Sequence, residues 1–448
     1  MLTRRIKNFI RRVLKPDSST PLRIAADEHK INKRHVSRHA IKVCEVLQDH
    51  GFEAYVVGGA VRDLLVGIPP KDFDVATNAT PEQIRPLFRR AFIIGRRFKL
   101  VHVVFGREVI ETSTFRAASN QGHQTDQHGR ILRDNVYGTL RDDAARRDFT
   151  FNALYYDPRT QEVIDFHQGV EDLKNQVVRI IGDAETRFRE DPVRMLRAIR
   201  FAAKLDAKIA PNTHAPIKKL AHLIDNVPTS RRFDEAIKLL SCGQAIACLK
   251  QLDSEGLIKY IFSVFPKIYA QEEGARFLDL AFERTDHRVR TGQSISPSFL
   301  FAALLWPLVR QLWQTEQDNG VPPIPAMANA CARVLDEYAT EIAIQRRFQS
   351  DMREIWFMQA RFHRVSNRAI WRMVEQPRFR AAVDFLQLRA ATREFDSVQA
   401  QWWMDLANGN YDTRAEMIAQ RAPARKTARR RRRRGRRRNT PKSNPQNN

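Results

Sequence analysis

Cysteine is scarce in this chain: four residues among 448, Cys44, Cys242, Cys248 and Cys331, with no Cys-x-x-Cys pair. That spacing implies no disulfide framework, argues against a thiolate zinc site, and fits a reducing compartment. Long apolar runs are missing too. The longest, residues 299–309, contains Pro307 and is too short to span a bilayer, so it reads as a buried helix. Acidic residues are in deficit, with 51 Asp and Glu against 76 Lys and Arg, and the net charge of +25 calls for a polyanionic partner, either nucleic acid or an acidic membrane surface. Residues 421–448 hold 13 of the basic residues and no acidic one. Since 25 less 13 leaves +12 on the first 420 residues, the body is basic without its tail.

With 43% hydrophobic residues there is material for more than one core, and the length predicts two or three domains. The chain is organised around residues 56–77. A short apolar strand ends at Gly58-Gly59, a helix-compatible run starts at Ala60, and a second strand is expected to carry Asp72 and Asp74 with only Phe73 between them. Residues two apart on a strand share a face, so the two carboxylates repel unless cations sit between them. Hard oxygen donors of that kind suit Mg²⁺. Gly58-Gly59 lets the backbone approach a phosphate closely. The stretch has neither G-x-G-x-x-G nor G-x-x-x-x-G-K-[ST], which removes the dinucleotide and P-loop readings. A solvated Asp-x-Asp beside an ordinary Gly-Gly turn is the bland alternative for either half alone.

Along the chain, residues 1–15 space Leu2, Ile6, Phe9, Ile10, Val13 and Leu14 helically among six Arg and Lys. Such a basic amphipathic helix suits an anionic membrane, RNA, or its own domain. No continuous apolar stretch follows the charges, which argues against an export signal and predicts a cytoplasmic location. Residues 16–32 read as a linker. From Lys33 the pattern becomes mixed α/β, with strands expected at 53–57, 92–94, 100–105 and 109–114 and a capping box at Thr80-Pro81-Glu82-Gln83. Glu111, on the last of these strands, is a candidate third carboxylate or an outward-facing residue. In Arg146-Arg147-Asp148, Arg147 suits a phosphate, while Asp148 suits a ribose hydroxyl or support of the metal site; a surface ion cluster is the alternative. Asp191 reads as the N-cap of a helix with Pro192 at its first position, on which Arg194 and Arg197 stack one turn apart. Beyond Pro228 the pattern is helical to about residue 415, and from Ala422 almost nothing apolar remains to bury, so the tail reads as disordered.

Five blocks in order resemble the class II nucleotidyltransferases: Gly58-Gly59-Ala60-Val61-Arg62-Asp63, Asp72-Phe73-Asp74, Arg146–Thr150, Asp165–Gly169 with Asp172-Leu173, and Glu190-Asp191-Pro192-Val193-Arg194. That family contains bacterial poly(A) polymerases and tRNA CCA-adding enzymes, and residues 93–103 are similar to the segment that marks the polymerases. The resemblance implies an α/β nucleotidyltransferase head with a mixed sheet, followed by an all-α neck and body. The corresponding boundaries are 1–32 for the basic segment and linker, 33–182 for the head, 183–227 for a base-recognising neck, 228–420 for an RNA-binding body and 421–448 for the Arg-rich tail. It also implies Asp72 and Asp74 as holders of two Mg²⁺ ions, an active-site role for Asp148, and nucleotide contacts from Gly58, Gly59, Arg62, Arg147, Asp191, Arg194 and Arg197, with ATP as substrate. RNA 3′ ends, the RNA-decay machinery and a peripheral membrane contact through the N-terminal helix are the partners implied. Ser230-Arg231-Arg232-Phe233 departs from the Glu-Arg of many members. The activity expected is template-independent addition of AMP to RNA 3′ ends. CCA addition and catalytically inert RNA binding remain the alternatives, and no His-Asp dipeptide suggests an appended phosphohydrolase.

Overall fold

The computed structural model describes residues 20–95, 99–117, 136–363 and 366–421, and the backbone alone of 124–125 and 131–133. The N-terminal helix expected at 1–15, the basic tail beyond Arg421, Arg96–Phe98, His123 and His128 lie outside the described residues.

An eight-stranded mixed sheet forms the head. Its strands in chain order are β1 (Leu22–Ile24), β2 (Ala54–Val57), β3 (Asp74–Thr77), β4 (Ala91–Ile94), β5 (Leu100–Phe105), β6 (Glu108–Thr114), β7 (Leu154–Tyr156) and β8 (Val163–Asp165). They lie side by side in the order β1-β8-β7-β2-β3-β6-β5-β4. All neighbours are antiparallel except β3 and β6, which run parallel with Asp74 opposite Glu111. The period-two alternation of these strands divides the core between two faces. On one face Val56, Val75, Val101, Val103, Ile110 and Tyr156 pack under helix α1 (Arg38–Asp49) through its Ala40, Val43, Cys44 and Leu47. On the other, Tyr55, Val57, Ala76 and Tyr155 pack with Phe115 and Ala144. The expected capping box is present: Thr80 accepts from the Gln83 amide, and Gln83 Oε1 accepts from the Thr80 amide.

Three expectations change. Residues 16–32 are not all linker, because Leu22–Ile24 pair with β8 as the sheet's edge strand and Ala26–His29 form a helical turn. Strand β3 begins at Asp74, so Asp72 sits in the loop before the ladder rather than within it. The helical pattern expected beyond Pro228 is interrupted near residue 343, since Ala343 adopts φ 62° and the next helix starts at Arg346.

The described chain divides into two compact units, one running to Ile295 with Tyr338–Ile344 added, the other comprising Ser296–Glu337 and Gln345 onward. In the first, α2 (Gly59–Leu65), α3 (Leu140–Arg146), α4 (Ala184–Glu190), α5 (Val193–Lys204), α6 (Thr229–Leu240), α7 (Ala245–Ser254) and α8 (Glu272–Arg290) follow in order. Helices α6 and α7 both pack on α5, which carries this unit past the boundaries expected at 182 and 227. The second unit is helical. Its 299–309 run lies, as expected, in a buried helix, Pro297–Asp318, whose Trp306 donates to Glu394 at 2.8 Å. Trp403 is core there, and Trp402 packs edge-on against it. No helix among the described residues is long and apolar enough to cross a membrane.

Candidate active site

Strand β2 ends at Val57, opposite Asp74, and the chain then turns through Gly58 at φ 74° and ψ −125°, a conformation open to glycine and strained for other residues. A β-carbon at Gly58 would lie 3.3 Å from Arg147 Nη1, so the guanidinium covers the turn. Phe73 packs into the α1-side core with Val75, which leaves Asp74 on the opposite face with Ala76. Asp74 opens to solvent at the strand's start, yet protein atoms crowd it. Burial, then the charge of Glu111, then that of Asp72, raise its pKa to about 6 against the pull of Arg147. Glu111 stands beside it in register, and His102 Nε2 lies 3.3 Å from Glu111 Oε1.

Asp74 and Glu111 thus stand side by side across the parallel pair, and the charges of Glu111 and Asp72 both act on Asp74. Among the described residues, no group of three or more His, Cys, Asp or Glu converges on a single metal position. Two hard oxygen donors are nevertheless what Mg²⁺ takes from a protein when phosphate and water fill its remaining positions, and the mutual repulsion registered at Asp74 is what a divalent cation would relieve.

Arg147 is fixed by Asp143, which accepts from its Nη2 at 2.9 Å and Nε at 3.1 Å and from the Tyr155 hydroxyl at 2.8 Å. Burial works against this guanidinium's charge, but Tyr155 and Asp143 outweigh it and raise its pKa. Asp148 is saturated: Oδ1 accepts from the Phe149 amide at 2.8 Å and Asn152 Nδ2 at 2.9 Å, and Oδ2 accepts from Arg197 Nε at 2.6 Å. Burial raises its pKa, but Arg197, Asn152 and Phe149 together bring it down to about 2. Its lone pairs are directed at Arg197, the Asn152 side chain and the Phe149 amide, so Asp148 anchors Arg197. Arg62, matched to a nucleotide contact in sequence, turns inward. It is 5% exposed, donates to Asn152 Oδ1 at 2.7 Å and pairs with Asp63, which also accepts from Lys204. A continuous chain therefore runs Lys204–Asp63–Arg62–Asn152–Asp148–Arg197, with the guanidinium carbons of Arg62, Arg197 and Arg200 stacked 4.9, 5.5 and 4.5 Å from the centre of one ring, Phe201.

The neck differs from expectation at Asp191. Helix α5 starts at Val193 behind Pro192 with no side-chain cap, and the Asp191 carboxylate instead takes a bidentate pair from Arg231 at 3.1 and 3.0 Å. The departure at Ser230-Arg231 therefore still bonds helix α6 to the Glu190–Arg194 block. Arg194 Nη1 donates to Glu190 at 2.9 Å and to the Arg187 carbonyl at 2.8 Å, so it is not paired with Asp191. Arg187 in turn donates to the carbonyls of Arg146 and Arg147, tying α4 to the Arg-Arg-Asp block.

Asp143, Asn152 and Phe201 carry roles that sequence reasoning missed. Asp143–Arg147 and Arg197–Phe201 are i,i+4 pairs, a signal that was present in the helical spacing. The bridge through Asn152 has no sequence signal, because its partners lie 90 and 4 residues away.

The pattern described as "Poly A polymerase head domain" matches residues 54–179, "Probable RNA and SrmB- binding site of polymerase A" matches 206–270, and "Polymerase A arginine-rich C-terminus" matches 319–438. The chain is 42% identical to Poly(A) polymerase I of Salmonella typhi over 90% of its own length and 91% of that protein. Similarity to the CCA-adding enzyme of Lactobacillus helveticus, at 40%, covers 45% of this chain and 49% of that one. The solved Thermotoga maritima CCA-adding enzyme complexed with tRNA shares the fold, with a TM-score of 0.51 and 19% identity over 89% of this chain and 85% of that one. With a head-domain match lying over the Gly-Gly turn and both aspartates, and 42% identity to a poly(A) polymerase I over 90% of its length, this chain belongs to the poly(A) polymerase I family of nucleotidyltransferases.

Proposed function

We propose that this chain adds AMP from ATP to RNA 3′ ends without a template, using Asp72 and Asp74 as the metal-holding carboxylates and Glu111 as a neighbouring third. The observation that carries the reading is the juxtaposition of Asp74, raised to about 6 by burial and by its acidic neighbours, with the glycine turn under Arg147. When bound there, Mg²⁺ supplies Lewis-acid charge that eases loss of the 3′-hydroxyl proton and offsets charge on the departing pyrophosphate. The protein's own groups do the rest by position. Gly58 and Gly59 present backbone without side chains, so a triphosphate can approach closely. Arg147, locked by Asp143 and Tyr155, offers a preorganised cation for the phosphates at no reorganisation cost. Asp148 holds Arg197 in place toward the nucleotide, and Arg62 with Asn152 stiffens the layer beneath. No protein nucleophile is required.

Asp191 and Arg194, held by Arg231 and Glu190, line the base side. Acceptors and donors of this kind fit adenine and cytosine alike, so the ATP preference rests on the polymerase relatives. RNA binding is in keeping with the net charge of +25 and with the matched RNA-binding segment.

Asp72→Ala and Asp74→Ala are each expected to abolish Mg²⁺-dependent extension of an oligo(A) primer while circular dichroism and melting stay near wild type; near-normal extension would overturn the assignment. Long tracts from ATP alone support polyadenylation. Addition from CTP and ATP that stops on restoring the CCA end of a truncated tRNA would move the chain to the CCA-adding branch.

A further inference from the structure

Two of the four cysteines, which share no motif in the sequence, meet in the fold. Cys242 and Cys248 are six residues apart across the turn between α6 and α7, with their sulfurs 3.2 Å from each other. Gly243 reverses the chain at φ +88°. The turn is clamped from α8, where Arg290 Nη1 donates to the Gly243 carbonyl at 3.3 Å and Asp286 accepts from the Ala245 amide at 3.0 Å. Cys242 is half-buried and Cys248 buried, so Cys242 is the more exposed residue of the pair.

We propose that Cys242 and Cys248 form a peroxide-reactive dithiol site, with Cys242 as the attacking sulfur and Cys248 as the resolving one. The Cys242 thiolate attacks one oxygen of hydrogen peroxide, the O–O bond breaks, and the hydroxide released takes up a proton as water, leaving a sulfenic acid. The Cys248 sulfur then attacks the Cys242 sulfur, the S–O bond breaks, a second water leaves and the S–S bond forms. The two thiols lose two electrons and two protons, and the peroxide takes them up as two waters.

The surroundings favour this division of labour. A hydrogen bond from Cys248, opposed by burial and the Asp286 charge and aided by the Gln244 backbone and the Arg200 charge, lowers the Cys242 pKa. Burial raises that of Cys331 to about 12 and that of Cys44 well above the usual thiol range. Both of those residues are fully buried. Closing the bond would tie together the ends of α6 and α7, the two helices packed on α5, and α6 also carries Glu235, 3.6 Å from Arg200. In a reducing compartment such a bond is transient and responds to oxidant.

The test is peroxide treatment of the full, reduced chain, alkylation of remaining thiols under denaturing conditions, and peptide mass mapping. The expected result is loss of two hydrogens from the segment holding Cys242 and Cys248, reversed by dithiothreitol, at a rate at least about tenfold above oxidation of Cys44 or Cys331. In Cys248→Ser, a dimedone adduct should accumulate on Cys242; in Cys242→Ser, Cys248 should stay reduced. Wild-type protein decides the matter by itself if a variant folds poorly. Oxidation of Cys242 to sulfinic acid without the cross-link, or equal rates at all four cysteines, would overturn the proposal.

Discussion

Replacing Asp148 by Asn removes one charge from the centre of the network and leaves the shape. In the native chain, Arg197, Asn152 and the Phe149 amide outweigh burial and hold the carboxylate at about 2 against an ordinary 3.8. A gap of that size corresponds to roughly 2.5 kcal/mol of stability at neutral pH. The sign follows from the direction of the shift: a depressed carboxylate contributes its full stability above about pH 4 and loses it as pH falls toward 2. By pH 3 about half of it, roughly 1.3 kcal/mol, is gone. Urea unfolding of wild type and Asp148→Asn should therefore differ by at least about 2.5 kcal/mol at pH 7, since an amide N–H facing Arg197 adds a donor–donor clash. The gap should narrow on acidification, because protonation does to the wild type what the mutation does to the variant. Arg197, stacked on Phe201 and bonded to Asp148, would lose its anchor, and kcat/KM for extension should fall about 100-fold or more. A gap below about 0.5 kcal/mol at pH 7, or one that does not change between pH 7 and pH 3, would refute the reasoning.

Gly58→Ala forces a β-carbon into a positive-φ turn and against Arg147, so it should cost about 1–3 kcal/mol in urea unfolding and raise the nucleotide KM. Glu394→Ala should destabilise the second unit by about 3–5 kcal/mol in denaturation monitored by its tryptophans, because it takes the carboxylate from the buried Arg389 guanidinium, leaving it the neutral Gln359, and the acceptor from the Trp306 N–H. Removing residues 421–448, which carry 13 Lys and Arg, should weaken RNA binding and flatten its dependence on salt in a filter-binding series; an unchanged slope would rule out phosphate contact by this segment.

Much of the head was legible from alternation and spacing. β5 spans Leu100–Phe105 as expected, and the capping box at Thr80 formed as its residues demand, because these signals depend on neighbours within a few positions. Edge strand β1 was not legible, since three residues carry little pattern and their partner lies some 140 positions away in β8. Asp191 was a reasonable cap by local chemistry, yet tertiary competition won: Arg231, 40 residues on, offers two charge-assisted bonds where a cap offers one neutral donor.

By itself, the sequence determined the chemistry available: a close carboxylate pair, a side-chain-free turn, a set of arginines and a strong positive charge, all of them properties of residue type and short spacing. Only the tertiary structure decided which groups those arginines answer to. Arg147 belongs to Asp143 and Tyr155, Arg197 to Asp148, Arg62 to Asn152 and Asp63, and Arg194 to Glu190. The physical reason is burial. A guanidinium taken out of water must find its full set of acceptors, and which acceptors lie within reach is set by how sheet and helices pack, a matter on which spacing along the chain is silent.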